Sequence, residues 1–407
     1  GSVQVNDASD YGCTEMFVSS AGTSAVQYGV STNAVDFRME KQFTVEPTTS
    51  VATGNSTITF YFTEAEIAGW EAATGNNRSL LHVVKDNGSD EVQPCTVGSF
   101  GSDVTLTATF TTGIDVGDNT LVTVNDDLFQ MIADAAPGDI LLLEAGDYTA
   151  QTGTINLNKS ITIQGLRSYD KPLLKVNFQL NAGAVDVGLI DLDLVGDGTN
   201  LSDVVRYTEA GNFNSLLISG CNIHDFARSF IAGNVTGAIV NSITVENCIV
   251  TNILTGGGDF IDFRNSDALN ITVKTSTFNN CAPGRDFFRL DAAGTSNNTG
   301  LTINVLLEYC TLIGVSNTAD RILYVRFNAH EITVRNNLFA STTAYYSNQS
   351  STSQATVFLN NNYYNAPGFF DSTKLLFDGS GTHTALDPGF ENAATGNFKI
   401  SNQTLLD

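Results

Sequence analysis

Apolar residues recur in register along most of the second half of the chain. One column runs Val187, Leu216, Ile243, Ile271, Val305, Ile332 and Val357, and a second, two residues further on in each unit, runs Leu189, Ile218, Val245, Val273, Leu307, Val334 and Leu359. Three residues later stand Leu192, Cys221, Cys248, Ser276, Cys310, Asn337 and Asn362, and two after those come Leu194, Ile223, Val250, Phe278, Leu312, Phe339 and Tyr364. A repeat of about 25 to 34 residues, with β-branched residues at period two inside each unit, predicts stacked strands and not helices. One unit is too small to bury its own apolar face, so neighbouring units must stack into a continuous core. An earlier coil is expected to begin with Ile161, Ile163 and Leu166, although Ser168 breaks its last column. The pattern predicts a parallel β-helix of at least eight coils.

The first 118 residues lack this repeat. Ile58, Phe60 and Phe62 alternate with polar residues, as do Val104, Leu106, Ala108 and Phe110, which predicts half-buried strands. Between them Thr63-Glu64-Ala65-Glu66 has the form of a capping box opening a short helix through Ile67 and Trp70, with Gly75 available to end it. A β-sandwich with one helical excursion fits this region. The polar stretch Gly113–Asn119 marks the expected boundary, giving a β-sandwich domain over 1–118 and a β-helix domain over 119–407. Just beyond it, Asn125, Asp126 and Asp127 suit the start of a helix carrying Leu128, Met131, Ile132 and Ala135 on its apolar face. Such a helix would cover the open end of the stack, whose edges would otherwise invite aggregation.

Composition narrows the partners. Charged residues are only 15% of 407, and the formal net charge is −24. Binding to nucleic acid or to an anionic membrane surface is therefore not expected, because the phosphate term would be repulsive over most of the surface. No apolar run approaches the roughly 20 residues needed to cross a bilayer, so membrane insertion is not expected either. A chain that starts Gly1-Ser2, without a signal peptide, is expected to be the trimmed form of an exported protein. Six cysteines do not make a disulfide scaffold at this length. Cys221 and Cys248 fall in one column on successive coils with parallel side chains, which predicts stacked, reduced thiols, while Cys13 and Cys95 could pair.

The segment "DDLFQMIADAAPGDILLLEAGDYTA" (Asp126 to Ala150) followed by "SITIQGL" (Ser160 to Leu166) resembles the opening of right-handed parallel β-helix proteins of the pectin-lyase-like superfamily. The closing "DPGFENAATGNF" (Asp387 to Phe398) resembles the ends of secreted bacterial members of that group, and "YGCTEMFVSSAG" (Tyr11 to Gly22) resembles accessory β-domains of exported multidomain proteins. The resemblance implies a right-handed β-helix, a secreted or cell-surface location in a bacterium, and an extracellular polysaccharide as partner. The signatures of polygalacturonases and pectate lyases are absent, and "DFIDFR" (Asp259 to Arg264) is only loosely similar to the catalytic strand of alginate lyase relatives.

Arginine carries the candidate chemistry. Eight of the eleven arginines lie between Arg206 and Arg335. Aligning the coils stacks "DVVRYT", "DFIDFR", "DFFRLD" and "RILYVR", so that one solvent-facing column reads Arg206, Ile231, Asp262, Arg289, Tyr324 and its neighbour reads Thr208, Gly233, Arg264, Asp291, Arg326. Arg228, Asp259, Arg285, Asp286 and Arg321 sit where the chain enters the same strand. Such a face suits a linear acidic polymer whose carboxylates Arg264, Arg289 and Arg326 could hold bidentately, with Arg206, Asp262 and Asp291 as further binding residues.

By the resemblance, a lyase would neutralise a uronate carboxylate with Arg264 or Arg289 and use Tyr324 or an arginine as base or acid. Asp286 could recruit Ca²⁺. The competing reading is that Arg and Asp merely pair across coils, as Glu246, Lys274, Glu308 and Arg335 are expected to do in another column. The expectation is a monomeric polysaccharide-processing protein, a candidate lyase on a uronate-containing polymer. The alternative is a noncatalytic glycan-binding or cell-surface scaffold protein.

Overall fold

The computed structural model of the chain describes residues 3–6, 9–19, 22–28, 36–51, 54–74, 77–86, 91–114, 118–124, 128–143, 145–149, 151–290, 301–325, 329–348 and 356–406. It divides into two compact units, Gly1–Met131 and Ile132–Asp407.

The N-terminal unit holds a four-stranded and a five-stranded antiparallel sheet. Ile58, Phe60 and Phe62 of the strand Ser56–Thr63 pair in register with Ala108, Leu106 and Val104 of Asp103–Phe110, and all six side chains are buried. They share one core with Phe43, Val45, Leu81 and Val83 of the other sheet, the arrangement of a sandwich. The helix Glu64–Thr74 adds Ile67 and Trp70 to that core. Its capping box is formed: Thr63 N donates to Glu66 Oε2 at 2.7 Å, and Glu66 N donates back to Thr63 Oγ1 at 3.3 Å. Gly75 lies outside the described residues.

The expected boundary at 118/119 needs correction. Asp118–Val124 is a strand of the five-stranded sheet, hydrogen-bonded between Gln42–Pro47 and Leu81–Asp86. Ile114, just before it, is already part of the sandwich core, so polarity alone placed the boundary too early. The division falls instead within the helix Leu128–Asp134. Lys159 Nζ donates to the carbonyls of Ala133 and Ala135 at the C-terminal end of that helix, where a cation is favoured. The capping candidates Asn125, Asp126 and Asp127 lie outside the described residues.

The second unit is a parallel β-helix. Among the described residues its coils build a nine-stranded, an eight-stranded and a seven-stranded parallel sheet, visited in turn by the chain. Val187, Leu216, Ile243, Ile271, Val305 and Ile332 stack in register on the nine-stranded sheet, and Val250, Phe278, Leu312 and Phe339 on the eight-stranded one. Fully burying each such side chain contributes about 1.5–3 kcal/mol relative to exposure. The turn between these sheets is made by one residue of positive φ per coil: Asp191, Gly220, Asn247, Thr275, Tyr309, Asn336 and Asn360. Asp, Asn and Gly tolerate that left-handed conformation, which is why they recur there.

Two coils depart from the sequence expectation. Leu166 is 43% exposed, and the inward place on the first eight-stranded pass, where the sequence spacing puts Ser168, is taken by Leu174, which pairs with Leu194. In the last coil the register is shifted by one. Phe358, not Leu359, pairs with Val334; Tyr363, not Tyr364, pairs with Phe339; and Asn361, not Asn362, accepts from Asn337 N at 3.1 Å. Val357 and Leu359 consequently face outward. A one-residue slip exchanges every inward and outward side chain, and "VFLNNNYY" offers apolar residues in both phases.

Cys221, Cys248, Cys281 and Cys310 are buried free thiols, and Cys13 and Cys95 are also unpaired. The Sγ atoms of Cys221 and Cys248 are satisfied by backbone carbonyls, those of Leu189 and Glu246 among them. Among the described residues no helix is long and apolar enough to cross a membrane.

Candidate functional site

The seven-stranded sheet carries the arginine face. Its short strands Val205–Tyr207, Ile231–Gly233, Ile261–Phe263, Phe288–Leu290 and Leu323–Val325 each point two side chains inward and one out. The outward column reads Arg206, Ala232, Asp262, Arg289, Tyr324. Ile231 is inward and buried, so the expected column is out by one in that coil. Gly233 is inward as well, beside the ring of Phe263, where a Cβ would come within 2.5 Å.

A second column, two residues before each strand, organises the face. Asp203, Asp259 and Asp286 are nearly fully buried. Each accepts the backbone N–H of the equivalent residue one coil on: Ser229 to Asp203 at 3.1 Å, Asp286 to Asp259 at 3.2 Å, Arg321 to Asp286 at 3.0 Å. The remaining oxygen capacity goes to guanidiniums. Asp203 holds Arg206 and Arg228; Asp286 holds Arg321 through Nε at 2.9 Å and Nη2 at 2.8 Å. Asp259 is shared by three arginines, Arg264 Nη2 at 3.0 Å, Arg285 Nε at 3.1 Å and Arg289 Nη1 at 3.3 Å. Arg264 also grips Asp262 bidentately, with Nε 2.9 Å from both oxygens.

This network sets six guanidiniums against four carboxylates. The carboxylates are buried, whereas the arginine side chains keep 20–39% of their surface exposed. Burial pushes the carboxyls of Asp262 and Asp286 above the ordinary range, with Arg264 and Arg321 opposing that shift. Tyr324 lies among the arginines: the Arg321 guanidinium carbon stands 3.7 Å from its ring centre and that of Arg289 5.2 Å. Stacked guanidiniums of this kind are held flat and preorganised.

The residues singled out from sequence therefore meet three fates. Arg264, Arg289, Asp262, Asp286 and Tyr324 come together, while Arg206 joins Arg228 on Asp203 and Arg326 and Asp291 lie outside the described residues. Asp262 faces outward, as expected, yet is buried beneath Arg264. Asp286, the residue assigned to calcium, has both oxygens engaged by Arg321, so a cation there would have to displace that arginine. Among the described residues no group of three or more His, Cys, Asp or Glu could hold a metal ion. Asp259, expected at the entry to the strand, and Asp203 prove to be the anchors of the face, a role the sequence did not assign them. Their signal was present as an aspartate two residues ahead of three of the five short strands, but an acidic residue at a strand entry does not announce that it lies beneath a layer of arginines.

The alternating column on the nine-stranded sheet is a structural ladder, as expected: Lys274 meets Glu246 at 2.9 Å and Arg335 meets Glu308 at 2.7 Å.

Residues 146–281 match a family described as a domain of unknown function (DUF4957), and residues 271–407 match a second domain of unknown function (DUF5123). Each match covers about a third of the chain, and the two overlap within an uninterrupted stack of coils. No curated protein matches the chain. Among solved structures it is similar to the catalytic unit of a thermostable GH87 alpha-1,3-glucanase from Streptomyces thermodiastaticus strain HF3-3, at 15% identity over 92% of this chain and 95% of that one, with a TM-score of 0.28. That similarity bears on neither the site nor a reaction. The pectin-lyase-like superfamily is named by none of these matches.

Proposed function

We propose that the arginine face binds an acidic extracellular polysaccharide, with Arg285, Arg289 and Arg321 meeting its carboxylates and Tyr324 giving a sugar ring a surface to stack on. The observation that carries this reading is the convergence of Arg264, Arg285 and Arg289 on the single buried carboxylate of Asp259. Simple cross-coil pairing needs one guanidinium per carboxylate, whereas this site concentrates positive charge on a chain of net charge −24. A polymer carboxylate would supply the missing anion and accept two parallel N–H donors from one arginine.

The test is calorimetry against polygalacturonate, alginate and neutral dextran. Binding to the acidic polymers that weakens with salt, and is lost in the double variant Arg285→Ala, Arg289→Ala, supports the reading; equal affinity of variant and parent overturns it. Catalysis is a second reading, favoured by the Tyr324 ring lying against two guanidiniums. It requires unsaturated uronate to appear when the protein meets the polymer. That activity should vanish in Tyr324→Phe, and arms with Ca²⁺ and with a chelator decide whether calcium takes part.

A further inference from the structure

A second site lies elsewhere on the β-helix, at the corner between the nine-stranded and eight-stranded sheets in the last three coils. There a cleft of about 580 Å³ opens between the turn residues Tyr309, Asn336 and Asn360 and the C-terminal segment carrying Leu386, Leu405 and Leu406. Its volume falls in the roughly 300–1,000 Å³ span of small-molecule sites. In a chain with 43 acidic residues, none of the side chains lining this cleft is charged; asparagines, threonines and aliphatic groups make up most of the wall.

The turn column explains why these groups point into the cleft. Tyr309, Asn336 and Asn360 occupy successive left-handed positions, at φ 54°, 55° and 53°, so their side chains project side by side from the corner. Among the described residues the side-chain amides of Asn336 and Asn360 make no hydrogen bond, whereas Asn337, one place inward, is satisfied by Leu307, Cys310 and Asn361. Tyrosine is the one aromatic in the column and is costly in this backbone conformation. Tyr309 is nonetheless 58% exposed, so core packing does not account for it.

We infer that this cleft binds a neutral, hydroxyl-rich ligand of the pyranose class. The Tyr309 ring would lie against the C–H face of the sugar, and the amides of Asn336 and Asn360, which both donate and accept, would meet its hydroxyls. With no charged side chain in the lining, no cation there favours a carboxylate or phosphate, which separates this site from the arginine face in chemistry as well as in place.

Saturation-transfer NMR with hexasaccharides of glucose, mannose and galactose, beside hexagalacturonate, tests the assignment. At least one neutral hexasaccharide should bind the parent protein, and its affinity should fall about fivefold or more in Tyr309→Asn, which retains a residue suited to the left-handed turn. Asn360→Ala should weaken the same ligand, and Arg285→Ala with Arg289→Ala should leave it unchanged. The assignment is overturned if no neutral hexasaccharide binds, if Tyr309→Asn and Asn360→Ala bind as the parent does, or if the arginine variant abolishes the signal. Because the acidic polymer is read out by salt-sensitive binding at other residues, failure of either site leaves the other open to its own test.

Discussion

Asp259 and Asp286 stand one coil apart on the seven-stranded sheet, and the Oδ1 of the first accepts the backbone N–H of the second at 3.2 Å. Two carboxylates stacked in one column would repel if each were bare. Here each is turned toward the next coil's amide and covered by guanidiniums, so the column works as a series of anchors.

Removing the central anchor should therefore cost more than removing any arginine above it. Asp259→Ala leaves Arg285 and Arg289 without this carboxylate and orphans the Asp286 amide. A loss of about 2–4 kcal/mol is expected, below the full value for a buried pair because the guanidiniums keep some solvent. Urea midpoints of Asp259→Ala and Arg285→Ala compare the two; equal losses would contradict the anchoring role.

The register of the last coil has its own consequence. Phe358 is half-buried, with its ring centre 4.4 Å from that of Tyr346, while Val357 and Leu359 are exposed. Phe358→Ala should cost about 2–3 kcal/mol, and Leu359→Ala less than about 0.5 kcal/mol. Thermal melts that reverse this order would restore the register expected from sequence.

His224 gives the second unit a pH dependence. Its ring lies between two carboxylates, Asp193 Oδ1 at 3.3 Å from Nε2 and Asp225 Oδ2 at 2.8 Å from Nδ1. The Asp193 contact, with Asp225 adding to it and burial opposing, raises its pKa to about 9. A histidine whose pKa is higher in the folded state stabilises fully below the unfolded value near 6.5 and progressively less as pH rises through about 9. With a third of the side chain exposed, the contribution is on the order of 1 kcal/mol. Histidine-selective NMR titration reads the shift directly, and in His224→Gln the alkaline loss of stability over this window should disappear.

In the sandwich, Lys41 and Glu66 form a buried pair at 3.0 Å, and Glu66 also receives the Thr63 amide of the capping box. Burial alone would raise the Glu66 carboxyl, but the Thr63 amide and Lys41 together bring it below its ordinary value. Lys41→Met strands the carboxylate and should cost about 3–5 kcal/mol. The double variant Lys41→Met, Glu66→Gln should recover part of that loss, and a coupling energy near zero in the denaturation cycle would rule the pairing out.

How far the site was legible follows from the same residues. Arg264, Arg289 and Tyr324 could be placed on one face because inward aliphatic residues on either side fix which way they point. Asp203 and Asp259 could not be recognised as anchors, because nothing in their local sequence tells a buried aspartate from a solvated one at a turn. The side-chain amides of Asn336 and Asn360 carry no signal of a ligand site in the local sequence. Their opening onto a cleft depends on where the C-terminal segment returns.

The sequence by itself determined the stacked-strand architecture of the second unit and the alternating sandwich of the first, since apolar columns at fixed spacing have no other way to leave water. Only the tertiary structure decided the phase of the last coil, the turn that admits Leu174 in place of Ser168, and which carboxylate holds which guanidinium. Those choices turn on loop lengths and side-chain torsions between coils, where a single residue inverts inside and outside and several partners lie within reach of one charge.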